Sequence, residues 1–165
     1  GIGFLFVKNV ELEPLIFGGG QERGMRGGTE NVPAIVGFAK AVELAKKINY
    51  GKISKLRDKI ISDLKNLGGI INGPRERLYN NIHVSFKNID AGNIVAYLSK
   101  KKIYVAIGSA CESKSKKDHV LEAIGLHPEL IRGSIRISLS RDINKKDCSR
   151  LVSEIKKAIA IYRWD

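Results

Sequence analysis

The feature that most constrains this chain is a change of hydrophobic period at Gly69. Before it, Ile53, Leu56, Ile60, Leu64 and Leu67 recur at spacings of three and four, one apolar stripe of a helix that Gly68-Gly69 stops. After it, short apolar runs alternate with amphipathic stretches. Asn81 to Lys87 turns Ile82, Val84 and Phe86 to one side and His83, Ser85 and Lys87 to the other, the two-residue period of a half-buried strand. Strands are expected at 70–72, 81–87, 103–107 and 134–140. Helices are expected from Asp90 as N-cap through Lys100, over 116–124, and from Asn144, where Asp147 completes a capping box. Leu126 to Gly133 reads as a connection. Short strands interleaved with helices define the class as α/β.

The chain upstream is organised differently. Residues 2–7 and 12–17 read as strands, and Thr29 and Asn31 are both suited to cap a helix that holds Pro33 in its first turn and runs to about Lys47. Ile35, Phe38, Val42 and Ala45 give that helix a stripe expected to be core. Between strand and helix lies Gly18-Gly19-Gly20-Gln21-Glu22-Arg23-Gly24-Met25-Arg26-Gly27-Gly28-Thr29-Glu30-Asn31. Glycines let backbone approach a ligand or another chain closely, and two arginines with a threonine suit an anion such as a phosphate. An ordinary surface loop is the alternative.

With 165 residues, 43% of them hydrophobic, the chain can bury a core. Cys111 and Cys148 form no C-x-x-C pair, which argues against a disulfide framework or a structural zinc site and for a reducing compartment. No apolar run reaches the roughly 18 residues of a membrane span, and no signal-peptide pattern opens the chain. Cytoplasmic location is the expectation. The net charge of +12 is mostly lysine spread over helix faces, a solvated surface without the aromatic signature of nucleic-acid readers. The chain starts at Gly1 and runs straight into Phe4-Leu5-Phe6-Val7, and is expected to be part of a longer protein.

Three side chains stand out as chemistry. Cys111 lies in Gly108-Ser109-Ala110-Cys111-Glu112-Ser113-Lys114-Ser115, among small residues and close to Lys114, Lys116 and Lys117; exposure and positive charge are what a nucleophilic thiolate requires. The alternative is a small hydrophobe. Arg136 sits in mid-strand, where its charge must meet either a protein carboxylate or a carboxylate ligand, and spacing does not choose between them. His83, on the polar side of its strand, could serve as a base but fits a solvated or hydrogen-bonded side chain better. Cys148 falls on the apolar stripe of the last helix with Val152, Ile155 and Ile159 and reads as inert packing.

Four segments taken together, Gly1-Ile2-Gly3-Phe4, the Gly18 to Thr29 loop, Gly108-Ser109-Ala110-Cys111 and Ser134-Ile135-Arg136-Ile137-Ser138-Leu139, closely resemble the C-terminal part of the NifS/IscS-type cysteine desulfurases, pyridoxal-phosphate enzymes of the class-V aminotransferase group. The resemblance covers essentially the whole chain. It implies the end of a type-I aminotransferase large domain plus the small α/β C-terminal domain: residues 1–30 as terminal strands and cofactor/dimer loop, 31–68 as linking helices, and 69–165 as the small domain with the cysteine loop.

The same resemblance implies roles. Cys111 would take sulfur from substrate L-cysteine as a persulfide, leaving L-alanine, and pass it to an acceptor protein for iron-sulfur cluster assembly or tRNA thiolation. Arg136 would bind the substrate carboxylate. Thr29 would reach the phosphate of pyridoxal 5'-phosphate across a homodimer interface. The family's Schiff-base lysine lies upstream of the residue that aligns with Gly1, so this chain alone is expected to bind cofactor weakly, to be inactive, and to expose Ile2, Phe4, Phe6 and Phe17. A non-catalytic sulfur carrier or scaffold-binding module is the competing reading, and direct nucleic-acid binding a third. A carrier has no use for Arg26, Thr29 and Arg136.

Overall fold

The computed structural model describes residues 1–108 and 118–164. Cys111 therefore lies outside the described residues. Two compact units divide the chain, Gly1–Ile48 and Asn49–Asp165.

The first unit carries a 3-10 turn over Gln21–Gly24 and one helix, α1 (Val32–Ala45). Asn31 caps α1 by accepting from the Ala34 N–H, and Pro33 occupies the first turn, where a missing N–H costs nothing. The strands expected at 2–7 and 12–17 are absent; both stretches are irregular. A strand exists only as a rung of a ladder, and the Gly27 N–H to Ile16 carbonyl bond makes no ladder with the second stretch. The α1 stripe likewise differs from expectation, since none of its residues is buried. Phe38 meets Phe4 at 6.3 Å between ring centroids. Phe4, Phe6 and Phe17 are 74%, 73% and 82% exposed, so this unit presents apolar surface that it does not itself cover.

The second unit holds α2 (Tyr50–Asn66), β1 (Ile70–Ile71), β2 (Asn81–Ser85), α3 (Ala91–Lys100), β3 (Ala106–Ile107), α4 (His119–Ala123), α5 (Pro128–Arg132), β4 (Ser134–Ser138) and α6 (Lys145–Tyr162). The sheet runs β1-β2-β4-β3, antiparallel throughout. Ile53, Leu56, Ile60 and Leu64 of α2, Ile94 and Leu98 of α3, and Leu151, Ile155 and Ile159 of α6 are buried with Ile82, Val84, Ile135 and Ile137 of the central strands. Each such side chain contributes about 1.5–3 kcal/mol by leaving water, and the helical and two-residue periods read from the sequence are the periods of this packing. Cys148 is buried in the same layer.

Strand ends are shorter than the apolar runs suggested. Residues 103–105 carry no strand pairing and β3 is reduced to Ala106–Ile107. The expected connection at 126–133 contains α5, which starts at Pro128. Most consequentially, the polar face of β2 is covered: Ser85, expected to face outward, is fully buried, and His83 is half-buried.

Candidate active site

Antiparallel register places directly opposed residues on one face of a sheet. Arg136 on β4 is opposed by His83 on β2 and by Ala106 on β3, and Asn72, just past β1, donates its N–H to the His83 carbonyl. Ser85 opposes Ser134 on the same face, one step along. The Gly108 N–H, directly after β3, reaches the Ser134 carbonyl at 3.4 Å. Arg136, His83, Ser85, Ser134 and the entry to the 109–117 stretch thus share one side of the sheet.

Arg136 is half-buried at mid-strand, and among the described residues its guanidinium has neither an ion-pair nor a hydrogen-bond partner. Charges in that position are ordinarily paired. Of the two partners left open by the sequence, a protein carboxylate is therefore not provided by the described residues.

The two described residues that flank 109–117, Gly108 and Asp118, lie against each other. Gly108 is buried with φ +54°, the left-handed region, and the Asp118 carboxylate lies against its Cα so closely that a Cβ would collide with Oδ2. Asp118 also accepts from the Leu121 N–H at 3.1 Å and so caps α4. One buried carboxylate thereby ties the start of the stretch to the helix that follows it.

Beside Arg136 is a buried polar cluster. Asn72 Nδ2 lies 2.8 Å from His83 Nδ1 and 2.8 Å from Ser85 Oγ; Ser85 Oγ is 2.7 Å from Ser134 Oγ; and Ser134 donates to the Leu130 carbonyl at 2.7 Å. Burial pushes the His83 pKa down, as the Arg136 and Arg77 charges do more weakly, against the Gly108 backbone and the Asp118 charge, which act the other way. Burial thus favours the neutral imidazole. The alternation of β2 gives no sign that its polar face is covered, which is why the sequence alone favours a solvated or hydrogen-bonded His83 of no chemical consequence. Asn72, Ser85 and Ser134 carry no sequence signal of their own.

Thr29 belongs to the first unit, exposed at the end of the glycine loop. Gly27 donates its N–H to the Ile16 carbonyl at 2.9 Å, and a Cβ on Gly27 would meet Gly18 backbone at 2.7–2.8 Å, so only glycine permits the loop to close on itself there. Glu22 and Arg23 both adopt left-handed backbone, a cost of about 1–2 kcal/mol each that a passive linker has no reason to carry. The closed loop, with an exposed hydroxyl at its end, fits a phosphate-bearing cofactor.

The burial of Cys148 pushes its thiol pKa up, which removes it as a nucleophile. Among the described residues no helix is long and apolar enough to cross a membrane.

The Aminotransferase class-V family matches residues 1–151. Cysteine desulfurase IscS 1 of Archaeoglobus fulgidus is 43% identical over 99% of this chain and 44% of that protein, and cysteine desulfurase IscS of Methanosarcina thermophila is 41% identical over 99% of this chain and 42% of its own length. Among solved structures, a NifS-like protein superposes with a TM-score of 0.82 at 38% identity, covering 93% of this chain and 40% of that one; the NifS-like protein from Rickettsia africae gives 0.79 at 33% identity, covering 92% and 41%. The chain spans less than half the length of these relatives. The α/β architecture is that of the type-I aminotransferase fold, the family is pyridoxal-phosphate dependent, and this chain belongs to the class-V aminotransferases, in the part of the family that its cysteine desulfurase relatives represent.

Proposed function

We propose that this chain forms the sulfur-carrying and substrate-clamping part of a cysteine desulfurase. The observation that carries the reading is Arg136, a half-buried mid-strand guanidinium without a protein partner among the described residues, one strand away from the backbone that leads to Cys111. Residues 1–30 are the end of the large domain, 31–68 the linking helices and 69–165 the small domain. The activity is proposed for the whole enzyme, since this chain spans less than half the length of its relatives.

Pyridoxal phosphate, when bound, supplies an electron sink that makes the substrate carbon–sulfur bond breakable. This chain's residues do the rest. Thr29 holds the phosphate of the partner subunit's cofactor in a homodimer, and Arg136 grips the L-cysteine carboxylate, whose planar pair of oxygens matches its fork. The Cys111 thiolate attacks the substrate sulfur; the new S–S bond forms as the carbon–sulfur bond breaks, its electron pair stays on carbon, and protonation there yields L-alanine. Sulfur remains as a persulfide on Cys111, from which an acceptor protein for iron-sulfur cluster assembly or tRNA thiolation takes it, in the cytoplasm.

Alanine release from L-cysteine with pyridoxal phosphate present tests this, for the chain alone and after co-expression with a lysine-bearing N-terminal half. Activity in the pair only, abolished by Cys111→Ala, is the expected result. A folded pair without activity would overturn it in favour of a non-catalytic sulfur carrier.

A further inference from the structure

The proposed chemistry uses Cys111, Arg136 and Thr29 and leaves the His83 cluster without a task. The direction of every hydrogen bond in that cluster follows from one end. Ser134 has a single hydroxyl proton and gives it to the Leu130 carbonyl. It can then only accept from Ser85, at 2.7 Å, and Ser85, its own proton committed, can only accept from Asn72. The Asn72 amide therefore turns its nitrogen inward, and its second N–H points at His83 Nδ1. With the amide reversed, two hydrogen-bond acceptors would face each other at 2.8 Å with no proton between them. His83 Nδ1 is consequently an acceptor, and the ring carries its one proton on Nε2.

That Nε2–H is buried, and no described group meets hydrogen-bond geometry with it. An unmatched buried donor is costly and marks a place that another conformation or a ligand completes. The backbone at Gly108 faces the ring from β3, without reaching hydrogen-bond geometry; Asp118, Arg136 and Arg77 are the charged groups around it. Gly108 is also where the chain turns left-handed into the 109–117 stretch, with Asp118 against its Cα.

We infer that His83 is a positioning residue for the backbone that follows β3: its Nε2–H, oriented by the Leu130–Ser134–Ser85–Asn72 chain, closes on the Gly108 backbone carbonyl and holds the last described residue before 109–117. A neutral ring is essential to the role. A second proton on Nδ1 would face the Asn72 N–H and break the chain. The consequence for catalysis rests on the desulfurase reading; the latch itself does not.

The test has two independent arms. In the full chain labelled with nitrogen-15, long-range proton–nitrogen spectra should show His83 as the Nε2–H tautomer and neutral below pH 6.5; the Nδ1–H tautomer would overturn the inference. Hydrogen exchange of His83→Phe should quicken about fivefold at Ala106–Gly108 and at the α4 cap, the worth of one hydrogen bond, while β2 and β4 keep their protection and His83→Gln, which retains a donor, restores most of it. Unchanged exchange at Gly108, or a uniform rise across the sheet, would also overturn it. In the pair with the lysine-bearing half, His83→Phe should lower kcat several-fold and leave KM for L-cysteine alone. A wild-type pair without turnover would instead count against the desulfurase reading, and the spectra and exchange would still decide the latch.

Discussion

The Asp118 carboxylate lies against the Cα of Gly108, closing the two described ends of the Cys111 stretch on each other. Gly108 has φ +54°, so its lack of a side chain is required twice, by the left-handed backbone and by the carboxylate.

Gly108→Ala should therefore destabilise the chain by more than the roughly 1–2 kcal/mol of a left-handed alanine. Gly125 offers the comparison, with φ +77° and open space where a side-chain carbon would go. Urea unfolding of the two alanine variants should show the larger loss at position 108; equal losses would mean that Asp118 moves aside at no cost.

Ser85→Ala and Ser134→Ala should each cost about 1–3 kcal/mol, because each leaves buried partners unmatched. The two residues share one hydrogen bond, so the double variant should lose less than the sum, with a coupling of about 0.5 kcal/mol or more. Strict additivity in denaturant midpoints would contradict the directed chain.

The His83 pKa is lowered in the folded chain, chiefly by burial. The unfolded chain then binds more protons than the folded one as pH falls through the ordinary histidine range near 6.5, and stability contributed by the neutral ring is present above that range and lost below it. Unfolding free energy measured at pH 7.5 and 5.5 should fall more for wild type than for His83→Gln. The same fall in both would assign the pH dependence to other groups.

Replacing Arg136 should separate binding from folding. With no described protein partner to strand, Arg136→Lys should shift the thermal midpoint little, while KM for L-cysteine in the active pair rises about tenfold or more through loss of the two-point grip on a carboxylate. A large stability loss with unchanged KM would show that the guanidinium serves the fold.

Cys148 is 4% exposed and its thiol pKa is raised by burial. Iodoacetamide should leave it unlabelled in the native chain and label it once urea unfolds α6. Native labelling at Cys148, read by peptide mass, would show that α6 opens without global unfolding.

The secondary-structure plan of the second unit, the caps at Asn31, Asp90 and Asn144 and the burial of Cys148 were legible in the amino-acid sequence, because each depends on neighbours within a few residues along the chain. The stripe of α1 and the strands at 2–7 and 12–17 were legible as apolar patterns and misleading as structure: a pattern states that a face needs cover, and the first unit does not supply it. The separation of Arg136 from any described carboxylate, the contact of Asp118 with Gly108 and the directed bonds from Leu130 to His83 arise only when β2, β4 and β3 align side by side. Local sequence specifies which residues face the same way along one strand. Which side chains then meet across strands depends on register between segments some fifty residues apart, and that is settled by the packing of the whole sheet on its helices.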